Sequence, residues 1–154
     1  MIEPYGTIIK SMLHEFRELN LVIEQDTDYK IILANSYYSL TIATEKNYQP
    51  SVLACFRDAT NHEFEVGLSE RILANQKFKA DIKELDEIKE KYQLDARGGD
   101  EHARVSGIYI YAKVAIRQIF NFISEFSQEM LIENGPFRTE YQSREQLLLN
   151  DLGL

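Results

Sequence analysis

Tryptophan is absent from this 154-residue chain, and cysteine occurs once, at position 55. One thiol cannot close an internal disulfide, so packing alone has to hold the fold. Three prolines and seven glycines are too few for a collagen-like or low-complexity chain. No apolar run reaches the roughly 18 residues of a membrane-spanning helix. The opening "MIEPYGTIIK" has an acid at position 3 and no long apolar stretch behind it, so no secretory signal is expected. Positive charge is scarce: 17 Lys and Arg stand against 25 Asp and Glu, a net -8. A nucleic-acid binder needs clustered basic side chains to displace counterions from phosphates, and this chain has no such stripe. The expectation is a cytoplasmic protein that binds neither nucleic acid nor membrane.

Apolar residues make up 44% of the chain and charged ones 27%, as in ordinary globular proteins. A chain this long buries about 70% of its unfolded surface, enough for one core. A single α+β domain over residues 1–154 is expected, sheet-rich over about 20–70 and helical over about 76–152. Acids outnumber bases in residues 1–75 and 94–154 and balance them in 76–93. Such acidic surfaces suit solubility or a basic protein partner.

Behind Pro4, "YGTIIKSMLHEFREL" spaces Ile8, Ile9, Met12, Leu13, Phe16 and Leu19 as a helix from about 4 to 19. The period then changes to two. "NLVIEQ", "YKIILAN", "YYSLTIAT", "SVLACFRD" and "HEFEVGL" read as five strands of an antiparallel meander, parted by turn clusters. In the last, Phe64, Val66 and Leu68 alternate with Glu63, Glu65 and Gly67, predicting a strand with one buried and one wet face. Residues 76–92 set Phe78, Ile82, Leu85, Ile88 and Tyr92 on one helical stripe. A longer helix, about 100–132, carries Val105, Ile108, Ala112, Ile116, Ile119, Ile123, Phe126 and Met130 on one face. Ile110, Tyr111 and Val114 point elsewhere, so its first half is apolar nearly all round and suits a sandwiched position or an oligomer contact. "NGP" should stop it, with Gly135 in the left-handed cap. An amphipathic "REQLLLNDL" closes the chain.

"LDARGGDEHARVSG", residues 94–107, is the one stretch that locally resembles a phosphate cradle. A cradle needs a free, positive helix N-terminus, whereas here Asp100 is placed as N-cap and Glu101 follows. A helix, not a strand, also precedes the glycines, so neither nucleotide-binding pattern fits. The stretch is read as a joint, with Gly98 as helix stop and Asp100 as helix start. Arg97, His102 and Arg104 remain as a small anion or partner contact.

His14, His62 and His102 fall in three separate elements without metal-ligand spacing, so no metal and no cofactor is expected. Cys55, His62 and Asp58 could meet as nucleophile, base and carboxylate across a hairpin. Yet "VLACF" reads as an apolar strand in which the thiol is a small core residue. Glu24 with Asp26, and Glu63 with Glu65, alternate onto common strand faces. Glu125 and Glu129 stand one turn apart on the long helix, followed by Glu133. Like charges at this spacing, near a helix C-terminus, repel one another and oppose the macrodipole. Such a cost is accounted for either by an arginine folding back from position 138 or 144 or by use as a docking ridge.

With its elements in this order, the chain resembles a diffuse class of small bacterial α+β proteins of the toxin-immunity type. The resemblance rests on the N-terminal helix, the meander "YKIILANSYYSLTIATEKNYQPSVLACFRDATNHEFEVGLSERIL" and the helical "YAKVAIRQIFNFISEFSQEMLIENGPFRTE". It implies a stoichiometric inhibitor that blocks a toxin's active or binding surface; no residue role is carried over with it. The expected function is therefore a protein-binding module rather than an enzyme. Its carboxylates Glu63, Glu65, Glu125 and Glu129 would meet the Lys and Arg of a basic toxin domain. The alternative is a small-molecule or enzymatic domain with a pocket between sheet and helix, lined by Tyr37, Tyr38, Tyr109 and Tyr111. A homodimer through the helix at 105–120 is compatible with either.

Overall fold

A computed structural model describes residues 1–95 and 100–153. The expected helix stop at Gly98, and Arg97 beside it, lie outside the described residues. The fold is α+β: helix α1 (Tyr5–Glu15), a 3-10 turn (Arg17–Leu19), strands β1 (Val22–Asp26), β2 (Lys30–Ala34), β3 (Tyr38–Ala43), β4 (Leu53–Asp58) and β5 (Glu63–Glu65), then helices α2 (Val66–Leu73), α3 (Asn75–Lys91), α4 (Glu101–Leu131) and α5 (Pro136–Asp151). The sheet is antiparallel and its spatial order is the chain order, β1 to β5.

Alternation sets the faces of this meander. Leu33 pairs with Leu40, Leu40 with Phe56, and Phe56 with Phe64, so one row of buried side chains crosses four strands. Ile31 and Ile42 form the next row. Each fully buried side chain of this kind stabilises by about 1.5–3 kcal/mol. Ile8, Ile9 and Met12 of α1 and Ile116, Phe120 and Ile123 of α4 complete the core. Side chains of turn residues fix the register. The Asn35 carboxamide oxygen accepts from the amides of Tyr37 and Tyr38 at 2.8 and 3.0 Å. Between β4 and β5, Asn61 adopts a left-handed φ of 67°. Strand β1 is an exposed edge whose register slips between Ile23 and Gln25.

The first helix is shorter than the 4–19 periodicity suggests. It ends at Glu15, and the 3-10 turn closes on Asn20 at φ 55°. There the Asn35 carboxamide donates to the Leu19 carbonyl at 2.9 Å and turns the chain into β1. A second correction concerns residues 62–68, where the strand stops at Glu65 and Val66 opens α2. The Glu65 amide donates to the Tyr141 hydroxyl at 2.8 Å, and the Ser69 hydroxyl donates to the Glu65 carbonyl at 2.7 Å. The amide is thus committed to α5 instead of a further strand residue, and the chain bends into a helix.

Helix α4 is about 46 Å long at 1.5 Å per residue and has two occupied faces. One enters the sheet core. The other brings Tyr111 and Ala115 against Leu94 at the end of α3, which accounts for the apolar character of its first half. Gly107 permits that approach, since a Cβ there would lie 2.5 Å from the Tyr92 Cβ. Val105, expected on the core face, is 61% exposed because the helix begins beyond the end of the sheet core. At the far end Asn134 (φ 57°), not Gly135, is left-handed. Gly135 is extended and serves as N-cap of α5, with Pro136 in its first turn. The closing helix thus starts eight residues before the expected "REQLLLNDL". Its anchor is Phe137 and Tyr141, set edge-on against Phe64 at 5.2 and 5.0 Å, whereas Leu147, Leu148 and Leu149 are exposed.

Candidate functional site

Glu125 and Glu129 stand exposed on α4, with Glu133 just past its end. The four-residue spacing of Glu125 and Glu129 places those two along one side of the helix. The basic side chains that follow are engaged elsewhere. Arg138 is buried, meets Asp58 at 2.8 Å and donates through Nε to the Met130 carbonyl at 3.1 Å; Arg144 pairs with Glu140 at 2.8 Å. Among the described residues, no ion pair neutralises Glu125, Glu129 or Glu133. The ridge ends at a polar cavity of about 270 Å³ whose walls include Glu133, Thr60, His62 and Arg138.

Glu63 and Glu65 share the solvent face of β5. They differ in state, because Glu63 is ion-paired with Arg57 whereas Glu65 has no such partner among the described residues. Glu63 and Glu65 lie on β5, and Glu125 and Glu129 on α4.

The Cys55, His62 and Asp58 constellation does not assemble. Cys55 lies opposite Thr41 and Glu65 on the solvent face of the sheet, not in the core, and burial is the first cause pushing its thiol up. Asp58 points the other way and is buried. Burial alone would push its carboxyl up. Donors from the His62 amide, the Thr60 hydroxyl and amide and Arg138 outweigh that and hold it at about 2. The His62 ring accompanies this cluster, with Nδ1 at 2.7 Å from the Thr60 hydroxyl. The four tyrosines also fail to converge: Tyr38 stacks on Phe56 inside the core at 4.6 Å, Tyr111 packs on α3, and Tyr37 and Tyr109 are 69% and 44% exposed. At the glycine joint, Asp100 caps α4 by accepting from the His102 amide at 3.0 Å. Arg104 donates to the carbonyls of Leu94 and Gln49, so it ties the joint down instead of offering an anion contact.

One site escaped the sequence reading. Between α2 and α3, Glu70 and Asp81 face each other beside a cavity of about 140 Å³ walled by β4, α2, α3 and α4. Glu70 is 8% exposed. Glu70 Oε1 and Asp81 Oδ2 are buried without another hydrogen-bond partner. Burial pushes the Glu70 carboxyl up, and the hydrogen bond and charge of Asp81 push it further, to about 8, against the lowering pull of Lys77. At neutral pH the pair therefore shares a proton.

Among the described residues, no helix is long and apolar enough to cross a membrane. No group of three His, Cys, Asp or Glu residues there is arranged to hold a metal ion. No family model matches the chain, and neither a curated protein nor a solved structure shows significant similarity to it.

Proposed function

We propose that the protein is a protein-binding module that takes a basic protein partner on the α4 ridge. An immunity-type inhibitor covering the cationic site of a bacterial toxin domain is the concrete form of this reading. The observation that carries it is Glu125 and Glu129 on α4 with Glu133 just past its end, three carboxylates without an ion pair among the described residues, while Arg138 and Arg144 are spent on Asp58 and Glu140. Repulsion within such a set costs a few tenths of a kcal/mol per pair, and a basic partner would reverse the sign of that term. Charge at the rim of an interface chiefly sets the encounter rate and the choice of partner. Apolar anchors supply most of the affinity, and exposed Ile132 stands next to Glu133 on the same turn.

The test is capture of partners by the tagged chain from its source cells, with the Glu125→Lys, Glu129→Lys double variant in parallel. A 1:1 basic partner is expected, associating more slowly as salt rises and weakened at least tenfold by charge reversal. Equal retention by both proteins, or no retained partner, overturns the reading.

A further inference from the structure

We propose that the groove between α2, α3 and α5 is the interface of a two-fold dimer, in which the leucine-bearing end of α5 from each copy seats in the groove of the other. The inference is independent of the partner on the α4 ridge, and it uses a face other than the helix at 105–120.

The first ground is apolar surface that the chain itself leaves uncovered. The groove, of about 330 Å³, has Gly67, Leu68 and Arg71 of α2, Phe78 and Ile82 of α3 and Leu148 of α5 among its walls. Ile82 and Leu148 are exposed, as are Leu149 and Leu152 beyond them. A single exposed leucine is ordinary, but apolar side chains gathered round one groove mark a contact surface. Gly67 leaves the α2 side of the groove bare, since a Cβ there would meet only the Glu65 carboxylate, at 3.5 Å. No neighbour within the chain demands that gap, and it lets another helix come close.

The second ground is that knob and hole belong to the same chain. Glu145, Leu148, Leu149 and Leu152 recur along α5 and its C-cap at the i, i+3, i+4, i+7 spacing by which a helix lays one side into an apolar groove. Leu148 belongs to the groove wall and to this stripe at once, so a two-fold axis beside it sets each stripe against the partner's groove. That is the self-complementary arrangement of an isologous dimer. At about 30 Å³ per water-sized group, the groove has room for two leucine side chains.

Charge decides between a second copy and an unrelated protein. On α3, Lys79 and Lys83 each follow a groove residue; with Arg71, whose guanidinium lies over the Phe78 ring at 4.9 Å, they give that side a basic border. None of the three is in an ion pair among the described residues. Acids of the same helix turn elsewhere, Asp81 to Glu70 and Glu84 to Gln118. The α5 side is acidic. After Arg144, which is held by Glu140, its charged side chains among the described residues are Glu145 and Asp151. Glu65 belongs to the same border, because it and Glu145 both act on Tyr141 through their charge. The two-fold axis turns each border toward its opposite, so that Glu145 of one copy meets Arg71 of the other. Chains of net charge -8 attract one another only where opposite charges are paired in this way.

The experiment is sedimentation velocity of the full chain from low micromolar to near-millimolar concentration, with circular dichroism to confirm that each variant keeps its helices. An equilibrium between monomer and dimer is expected. Leu148→Glu with Leu152→Glu should weaken it at least tenfold, and Gly67→Leu, which fills the groove without touching α5, should do the same. Arg71→Glu and Glu145→Arg should each weaken it at least tenfold, while the two together restore it to within about threefold. Val105→Ser with Tyr109→Ser, at the exposed start of α4, should change it by less than about twofold. A strict monomer at every concentration, which leaves the groove to a different chain, overturns the proposal. So does a dimer that survives Gly67→Leu, one that is lost with the α4 substitutions, or a double charge exchange that restores nothing.

Discussion

Replacing Glu70 by Gln should make the protein more stable above neutral pH and leave it little changed in acid. In the unfolded chain the Glu70 carboxyl titrates near its ordinary 4.5; in the folded chain burial and Asp81 raise that to about 8. Between these values the folded state binds more protons than the unfolded state, so this group's contribution to stability falls as pH rises through that window. The interval is about 3.5 units, and at 1.36 kcal/mol per unit the ceiling is about 5 kcal/mol. Glu70 and Asp81 titrate as a unit, and the share removed by one substitution is about 2–3 kcal/mol. A glutamine has the same shape, carries no charge and offers an N–H donor to Asp81, so it keeps the contact and removes the titration. The assay is urea unfolding followed by circular dichroism in half-unit steps from about pH 5 to pH 9. The wild-type curve should fall by about 2–3 kcal/mol relative to the variant, with most of the divergence between pH 6 and pH 8. Two parallel curves, differing by a constant within about 0.5 kcal/mol, would refute the buried proton-sharing pair.

Truncating Arg138 to Ala leaves Asp58 buried and unpaired; a loss of about 3–5 kcal/mol is expected in the same unfolding assay. Because Asp58 is held at about 2 against an ordinary 3.8, its stabilisation is present above pH 4 and is lost as pH falls through about 2. Asp58→Asn should flatten that acid limb, read as thermal midpoint against pH. Gly107→Ala should destabilise by about 1–3 kcal/mol, although alanine is the better helix former by about 1 kcal/mol, because the added carbon meets Tyr92 and Leu94; a stabilised variant in a thermal melt would show that α3 is not pressed on α4. Phe120→Ala, at the fully buried centre of α4, should cost about 3–5 kcal/mol in chemical denaturation.

The meander was legible because its physics is local. Alternation at Ile31, Leu33, Leu40, Ile42 and Phe56, with Asn35 and Asn61 in the turns, specifies both faces and both hairpins. The Asp100 cap was legible for the same reason. Misreadings arose where a distant residue decides. Phe64 and Val66 are both buried, so burial follows period two across the junction of β5 and α2. What ends the strand is Tyr141, 76 positions away. The Glu70 and Asp81 pair depends on two helices docking, yet it left a trace: Val66, Ser69, Glu70 and Leu73 form the inward stripe of α2, and Phe78, Asp81 and Leu85 that of α3. Asp58 left one too, continuing the core-facing alternation after Ala54 and Phe56. A charged residue on an apolar stripe was the available signal. The Glu125 and Glu129 ridge was visible from spacing alone, whereas the engagement of Arg138 with Asp58 required the fold.

The sheet's unbroken neighbour-to-neighbour order has a consequence for how the chain comes into being. Each hairpin can close as soon as its own residues have left the ribosome, because no strand waits for one made much later. The helix that seals the inner face, α4, does not begin until Glu101. At about 5–20 residues per second, the forty-odd residues between the end of β4 and that point take several seconds to synthesise. For that interval Leu33, Leu40 and Phe56 face water with only α1 to shelter them. The nascent chain is thus most exposed to chaperones and to misassociation after its sheet is built and before its longest helix arrives.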